Sequence, residues 1–339
     1  MSVRVAIIGL KHGQSHAHSI KLAKGLTLSA VADLDQALAA SVGQAQGVPA
    51  YGSVAEILAA DAADAIVVAV PTPAHAEVSV AALDGGLHVL QEKPLTRTEA
   101  EAELIRAAIA RSGKVFQVGY EVRSSGLHRT ILRHLQRNDL GELTNVWYNQ
   151  HTYEKRKGTE WRNARSNMGG KLFDCAVHYF DLLQQWAGAP LYRVAAFGNA
   201  LGTTGPQSDE LPESAVICLE YANGVRGTYN FSERTKVNDD SSFGLVGTSG
   251  RIAGNPWLPE GAGSFELRTD NGVMKAQCVF DATLTSPGHL GFTEEMEHFA
   301  RTVIDGAPNV CTFEDALALH RQMVAIDQAL ATGEVVTLG

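Results

Sequence analysis

Short apolar runs alternate with helical stretches through the first third of the chain. Such runs are typical of parallel strands that are buried on both faces. Alternation of strands and helices predicts a doubly wound parallel sheet, so the first part of the chain is expected to be an α/β domain. The expected strands are Val3–Gly9, Thr27–Ala32, Ala65–Val70, Leu87–Leu90 and Val115–Val118, with helices from about Ala74 to Asp84 and Thr96 to Arg111.

After Gly119 the pattern changes to strand-like runs joined by short turns, which predict an antiparallel or mixed sheet. We therefore expect a first domain over residues 1–122 and a second, α+β domain over residues 123–339. Two helices, near Thr293–Asp305 and Phe313–Thr332, are expected to close the second domain. Its expected strands include Thr144–His151, Ala215–Tyr221, Val225–Phe231 and Gly244–Val246.

Composition narrows the class of partner. The chain has 339 residues, 45% hydrophobic and 19% charged, and a net charge of -9. A negative protein is a poor sequence-independent binder of nucleic acid, so a small-molecule partner is favoured. Four scattered cysteines without a Cys-x-x-Cys pair, and no apolar stretch of membrane-spanning length, predict a cytoplasmic protein that does not bind a membrane.

A glycine-containing turn follows the first strand. In a G-x-G-x-x-G frame that starts at Gly9, Lys11 and Gln14 replace the second and third glycines, and Gly13 falls one position early. A pyrophosphate could still bind the amino terminus of the following helix, with Lys11 adding a positive charge. The alternative is an ordinary strand-to-helix turn.

The second strand ends at Asp33, 24 residues beyond Gly9, near the position of a ribose-binding acid. Such a carboxylate accepts hydrogen bonds from ribose hydroxyls and repels a 2′-phosphate. Because no arginine follows it directly, NAD is favoured over NADP. Alternatively, Asp33 or Asp35 caps the next helix.

Two clusters of polar residues are candidates for chemistry. Lys93 follows a strand, at the edge of an open α/β sheet where ligands bind. Asp174 and His178 lie four residues apart in a predicted amphipathic helix from Leu172, so their side chains are expected on one face. A histidine suits proton transfer near neutral pH, although a core histidine that binds the aspartate fits the same pattern.

Five motifs occur in this order along the chain: PTPAH from Pro71, EKP from Glu92, GYEVR from Gly119, WRNARSNMGG from Trp161 and D-x-x-x-H from Asp174. Together they resemble the glucose-fructose oxidoreductase, inositol dehydrogenase and MocA (Gfo/Idh/MocA) family. The resemblance implies an NAD(P)-binding Rossmann domain joined to a domain whose large open, mostly antiparallel sheet forms homodimer or homotetramer contacts. It also implies a catalytic set of Lys93, Asp174 and His178, and a cis bond between Lys93 and Pro94.

The expected chemistry is hydride transfer between a secondary hydroxyl of a sugar, sugar derivative or cyclitol and the nicotinamide. His178 would act as the base, Lys93 would hydrogen-bond the reacting oxygen, and Asp174 would orient His178 or bind a neighbouring hydroxyl. The cofactor contacts are assigned to Gly9, Lys11, His12, Gly13, Asp33, Pro71, Thr72, His75, Glu92 and Lys93. The substrate contacts are assigned to Lys93, Tyr120, Arg123, Tyr153, Trp161, Asp174 and His178.

The same residues are compatible with other functions. His12, His16 and His18 suggest a metal, but no cysteine or glutamate lies at ligand spacing, so no metal is expected. A relative that cleaves glycosides through transient oxidation would keep the same residues. A nucleotide-sensing regulator on this fold would be expected to lack the catalytic set. The residues assigned to substrate binding could equally be packing residues: Tyr120, Arg123, Tyr153 and Trp161.

Overall fold

The computed structural model describes residues 2–151, 167, 171–174, 176–199, 214–232, 241–256, 263–277 and 291–339. The chain divides into two compact units. Unit 1 comprises Met1–Ser125 and Asp281–Leu317, and unit 2 comprises Gly126–Phe280 and Ala318–Gly339. Residues 281–317, which we expected in the second domain, therefore group with the first.

The strands form two sheets, one in each unit. The first sheet has the order β3-β2-β1-β4-β5-β6, and every neighbouring pair is parallel. This is the strand order of a doubly wound dinucleotide-binding fold, so the predicted fold of the first domain is confirmed. Its strands are β1 (Val3–Ile8), β2 (Leu26–Ala32), β3 (Ala50–Tyr51), β4 (Ala65–Val68), β5 (His88–Glu92) and β6 (Phe116–Gly119).

Over the described residues, the second sheet has nine strands in the order β14-β13-β12-β11-β7-β10-β9-β8-β15. All neighbours are antiparallel except β10 and β7, which confirms the mostly antiparallel prediction. Its strands are β7 (Leu143–His151), β8 (Leu191–Asn199), β9 (Ser214–Tyr221), β10 (Arg226–Ser232), β11 (Ser242–Gly247), β12 (Gly250–Asn255), β13 (Ser264–Thr269), β14 (Gly272–Gln277) and β15 (Val336–Thr337).

One predicted helix begins later than expected. Helix α5 (Glu99–Ser112) starts at Glu99 rather than near Thr96 because the Thr98 side chain caps it by accepting a hydrogen bond from the amide of Glu101. In chain order the helices are α1 (Leu10–Leu22), α2 (Gln36–Gln46), α3 (Val54–Ala59), α4 (His75–Asp84), α5 (Glu99–Ser112), α6 (Gly126–Gln136), α7 (Ala176–Ala187), α8 (Phe292–Asp305) and α9 (Phe313–Thr332). Within the described ranges, none of these helices is long and apolar enough to cross a membrane.

Helix α8 explains the difference in domain boundaries. Its buried residues Met296, Phe299 and Ala300 belong to the same core cluster as Val5 and Ile7 of β1. Burying such side chains contributes about 1.5–3 kcal/mol for each large one, so the helix is part of the first core. Sequence periodicity predicted the helix but carried no information about which core it joins.

Helix α7 packs on one face of the second sheet. Tyr179 stacks on Tyr148 of β7 with ring centroids 4.2 Å apart, and Phe180 lies 4.6 Å from Tyr229 of β10. Along β9 buried and more exposed residues alternate, as expected for a strand with one covered face. Val216 is 50% exposed on the opposite face from its buried neighbours.

Candidate active site

The turn after β1 lies very close to the backbone of Ala69. Gly9 has φ +92, and a Cβ added there would lie 2.5 Å from the carbonyl carbon of Ala69. Gly13 lies on α1 against β1, where an added Cβ would meet Ile7 Cγ2 at 2.6 Å. Gly13 thus performs the helix–strand packing role of the third motif glycine, although it falls one position early.

The carboxylate of Asp33 faces this turn. Its Oδ2 accepts a hydrogen bond from the amide of Leu10 at 2.7 Å, and its Oδ1 accepts one from the amide of Asp35 at 2.9 Å. The helix cap is instead Asp35, whose side chain accepts hydrogen bonds from two amides at the start of α2. The two aspartates therefore have different roles, and Asp33 is the one placed beside the glycine turn.

Two side chains near the turn reach solvent. Leu34, directly after Asp33, is 92% exposed. Lys11 is also exposed, on the first turn of α1. Lys11 and Leu34 thus directly follow Leu10 and Asp33, whose amide and carboxylate are joined by a hydrogen bond.

Lys93 lies in the turn that follows β5, and the Lys93–Pro94 peptide bond is cis, as predicted. Lys93 is half-buried, whereas Pro94 and Leu95 are buried. The turn is thus anchored in the interior of unit 1, while the lysine keeps part of its surface accessible.

A buried polar network contacts this turn from the side of α4. The His75 ring nitrogens lie 2.9 Å from the carbonyl oxygen of Pro94 and 3.0 Å from that of Val70. Gln91 Nε2 donates to the carbonyl oxygen of Leu95 at 2.6 Å, and Gln91 Oε1 accepts from the Ser79 hydroxyl at 2.8 Å. His75 is 1% exposed, so any contribution it makes to cofactor binding is indirect.

A second network lies around Glu92. Its Oε1 is 2.7 Å from His16 Nε2 and 3.2 Å from His12 Nε2, and its Oε2 accepts a hydrogen bond from the Lys93 amide at 3.1 Å. His12 and His16 are one helical turn apart on α1. The 2.7 Å separation is that of a hydrogen bond, and the structure brings Glu92 to a histidine pair for which the sequence showed no glutamate at ligand spacing.

These contacts govern the charges in the network. Burial acts to raise the pKa of the Glu92 carboxyl, but the hydrogen bonds from His12 and His16 outweigh it and hold this pKa well below its ordinary value. The hydrogen bond to Glu92 raises the pKa of His12. Burial, reinforced by the charge of Glu92, raises the pKa of Glu121 to about 8. Burial and the charges of Glu121 and Glu92 raise the pKa of Glu295 well above its ordinary value.

Two predicted substrate contacts lie inside unit 1. Tyr120 and Arg123 are 2% and 7% exposed, and the guanidinium lies 5.8 Å from the Tyr120 ring. Arg123 also donates to the carbonyl oxygen of Val310 at 2.8 Å and lies 3.7 Å from Asp315. This burial favours packing as the role of both residues.

In unit 2, Asp174 lies in a turn before α7, and His178 lies in the first turns of that helix. The predicted helix from Leu172 is therefore shorter, because a 3₁₀ turn occupies Lys171–Phe173. Asp174 is 4% exposed, whereas His178 is only half-buried. The predicted substrate contacts Tyr153 and Trp161 lie outside the described residues.

Three residues of the unit 1 network were absent from the predicted site: His16, Glu121 and Glu295. Glu92 is 76 positions from His16, so sequence spacing does not reveal their contact. One usable signal was the pair His12 and His16, four apart on one helix face.

Together, the strand order, the glycine turn and Asp33 define a nicotinamide-dinucleotide-binding oxidoreductase fold. Residues 3–120 match the family model described as oxidoreductase family, NAD-binding Rossmann fold, and residues 133–338 match the model for its C-terminal alpha/beta domain. The chain belongs to the Gfo/Idh/MocA oxidoreductase family.

Named relatives lie at low sequence identity but cover most of the chain. The scyllo-inositol 2-dehydrogenase (NAD(+)) of Bacillus subtilis is 23% identical, with 99% of this chain and 96% of the relative covered. The D-xylose 1-dehydrogenase (NADP(+)) 2 of Haloferax volcanii is 28% identical, with 91% of each covered. A crystal structure of a putative myo-inositol dehydrogenase from Sinorhizobium meliloti has a TM-score of 0.85 at 21% identity, with 100% of both chains covered.

Proposed function

We propose that the protein is an NAD-dependent dehydrogenase that acts on a secondary hydroxyl of a sugar, sugar derivative or cyclitol. The observation that carries the proposal is the Lys93 turn after β5, within a chain that matches both domains of the family. The inositol and xylose dehydrogenases among its relatives support the choice of substrate class.

The residues beside the glycine turn fit NAD. Gly9 permits a tight turn against the Ala69 backbone, where a Cβ would collide, and Asp33 presents a carboxylate for the ribose hydroxyls. Exposed Leu34 offers an apolar surface to adenine, and Lys11 offers a charge to the pyrophosphate. A carboxylate in this position disfavours the 2′-phosphate of NADP. When bound, NAD supplies the hydride acceptor.

The protein supplies the acid–base chemistry. His178 takes the hydroxyl proton, since a half-buried histidine can exchange it with solvent. Lys93 donates a hydrogen bond to the oxygen as negative charge develops on it. Asp174, which is buried, orients His178 or binds an adjacent hydroxyl.

The test is reduction of NAD, followed at 340 nm, with inositols, xylose and related polyols. Wild-type protein should reduce NAD with at least one of them, and K93M should bind NAD but show no turnover. Turnover by K93M would refute the role of the lysine. Sugar release from glycosides without net NADH would instead indicate transient oxidation.

A second copy of the chain is the proposed partner of the open face of the second sheet. Phe197 on β8 is 70% exposed and pairs in register with Val216 on β9, which is 50% exposed. Adjacent exposed apolar side chains of this kind mark interaction surfaces.

We also propose that the protein is located in the cytoplasm, which the free thiols of Cys218 and Cys311 support.

Light scattering after gel filtration tests the assembly. Wild-type protein should elute as a dimer or tetramer, and F197D should dissociate it because a carboxylate would be buried in the contact. V324D is the matched control, since Val324 is 46% exposed on α9 in the same unit. A monomeric wild type, or dissociation by V324D but not F197D, would contradict this surface.

A further inference from the structure

Lys93 has a long, flexible side chain, so its backbone must be held in place before its ammonium group can have a fixed position. Holding such a side chain in one geometry opposes about 2 kcal/mol of rotamer entropy. A misplacement of about 1 Å in a reacting group can lower a rate about 100-fold. The contacts that fix the Lys93 turn are therefore expected to affect turnover.

The turn is held from both flanks by buried groups. On the preceding side, Glu92 Oε2 accepts a hydrogen bond from the Lys93 amide at 3.1 Å. The other oxygen, Glu92 Oε1, lies 2.7 Å from His16 Nε2 and 3.2 Å from His12 Nε2. On the following side, a His75 ring nitrogen lies 2.9 Å from the Pro94 carbonyl oxygen. The amide of Lys93 and the carbonyl group of the following Pro94 thus contact two different side chains.

Both side chains are fully engaged within unit 1. Glu92 is 5% exposed, and each of its oxygens has an internal hydrogen-bond donor. His75 is 1% exposed, and both of its ring nitrogens face backbone carbonyls. Neither residue therefore presents a polar atom suited to binding the cofactor directly.

We propose that Glu92 and His75 are positioning residues that fix the backbone of Lys93, rather than cofactor contacts. This inference rests on the proposed function, in which Lys93 is catalytic. Glu92 also connects the Lys93 turn to α1, the helix that begins at the glycine turn, through His12 and His16. The network around His75 extends to α4 through Gln91 and the Ser79 hydroxyl, which lies 2.8 Å from Gln91 Oε1.

The experiment separates binding from turnover in E92Q, H75A and H75N. We expect kcat to fall about 10- to 100-fold in E92Q and H75A, while the Kd for NAD, measured by calorimetry, stays within about threefold of wild type. H75N places an amide donor near the former Nδ1 and should recover part of the lost kcat. H18Q, at an exposed histidine on α1, should match wild type throughout.

A milder variant covers the case in which the buried substitutions prevent folding. S79A removes only the hydroxyl bonded to Gln91, and it should lower kcat about threefold to fivefold with unchanged NAD binding. If the variants instead raise the Kd for NAD and leave kcat unchanged, the inference is overturned and these residues are cofactor contacts. Wild-type kcat in E92Q, H75A and S79A would also overturn it. Turnover by K93M, in contrast, would refute the proposed function itself.

Discussion

The ionisation of Glu121 links this network to the stability of the folded protein. Its pKa is raised from 4.5 to about 8 by burial and by the charge of Glu92. The folded protein therefore keeps the Glu121 proton in a range where the unfolded chain has lost it. The stabilisation is fully present below the unfolded pKa and is lost as pH rises through about 8.

The magnitude follows from the two pKa values. Each pH unit between them changes the free energy of unfolding by about 1.4 kcal/mol, so raising the pH from 5 to 8 costs about 4 kcal/mol. Because glutamine cannot ionise, E121Q should be close to wild type at pH 5 and more stable by about 4 kcal/mol at pH 8. For a unit of this size the gain corresponds to about 10 °C in Tm.

Calorimetry of the protein without cofactor at pH 5 and 8 measures this difference. E77Q, at an exposed glutamate on α4, is the matched control and should follow wild type at both values. If E121Q and wild type differ by the same amount at pH 5 and 8, Glu121 ionises as it does in water and the burial argument is wrong.

Three further predictions concern the cofactor turn and the base. G9A should destabilise the protein by several kcal/mol and weaken NAD binding, measured by calorimetry, since its Cβ would meet Ala69 at 2.5 Å; G47A, with φ +73 and no atom within 4 Å, should cost only about 1–2 kcal/mol. The double variant D33S/L34R should shift the ratio of kcat/KM values toward NADP by about 100-fold, because it replaces a repelling carboxylate by a guanidinium. H178N should lower kcat by about 100-fold or more with an unchanged Kd for NAD, and an unchanged kcat would exclude His178 as the base.

Much of the fold could be predicted because it depends on local patterns. Buried apolar runs separated by helices specify a parallel sheet, and the position of Asp33 after the second strand located the acid beside the glycine turn. Spacing left open whether Asp33 or Asp35 caps α2, since both can do so. Only the structure shows that Asp35 accepts the helix amides.

The remaining features depend on contacts between distant positions. Glu92 meets His16 across 76 residues, and the core of unit 1 takes in Met296 from near the end of the chain. Neither contact leaves a periodic signal in the sequence. The start of α7 was predicted too early because apolar residues at Leu172 and Phe173 continue the helical pattern into a 3₁₀ turn.

The most direct test of the account is to follow the hydride itself. A polyol that wild-type protein oxidises would be supplied with deuterium on its carbinol carbons, and the nicotinamide product analysed by mass spectrometry and NMR. The account predicts deuterium at C4 of the reduced nicotinamide with wild-type protein, a slower rate than with the unlabelled polyol, and no labelled product with K93M. Reduced nicotinamide without deuterium, or labelled product from K93M at the wild-type rate, would contradict it.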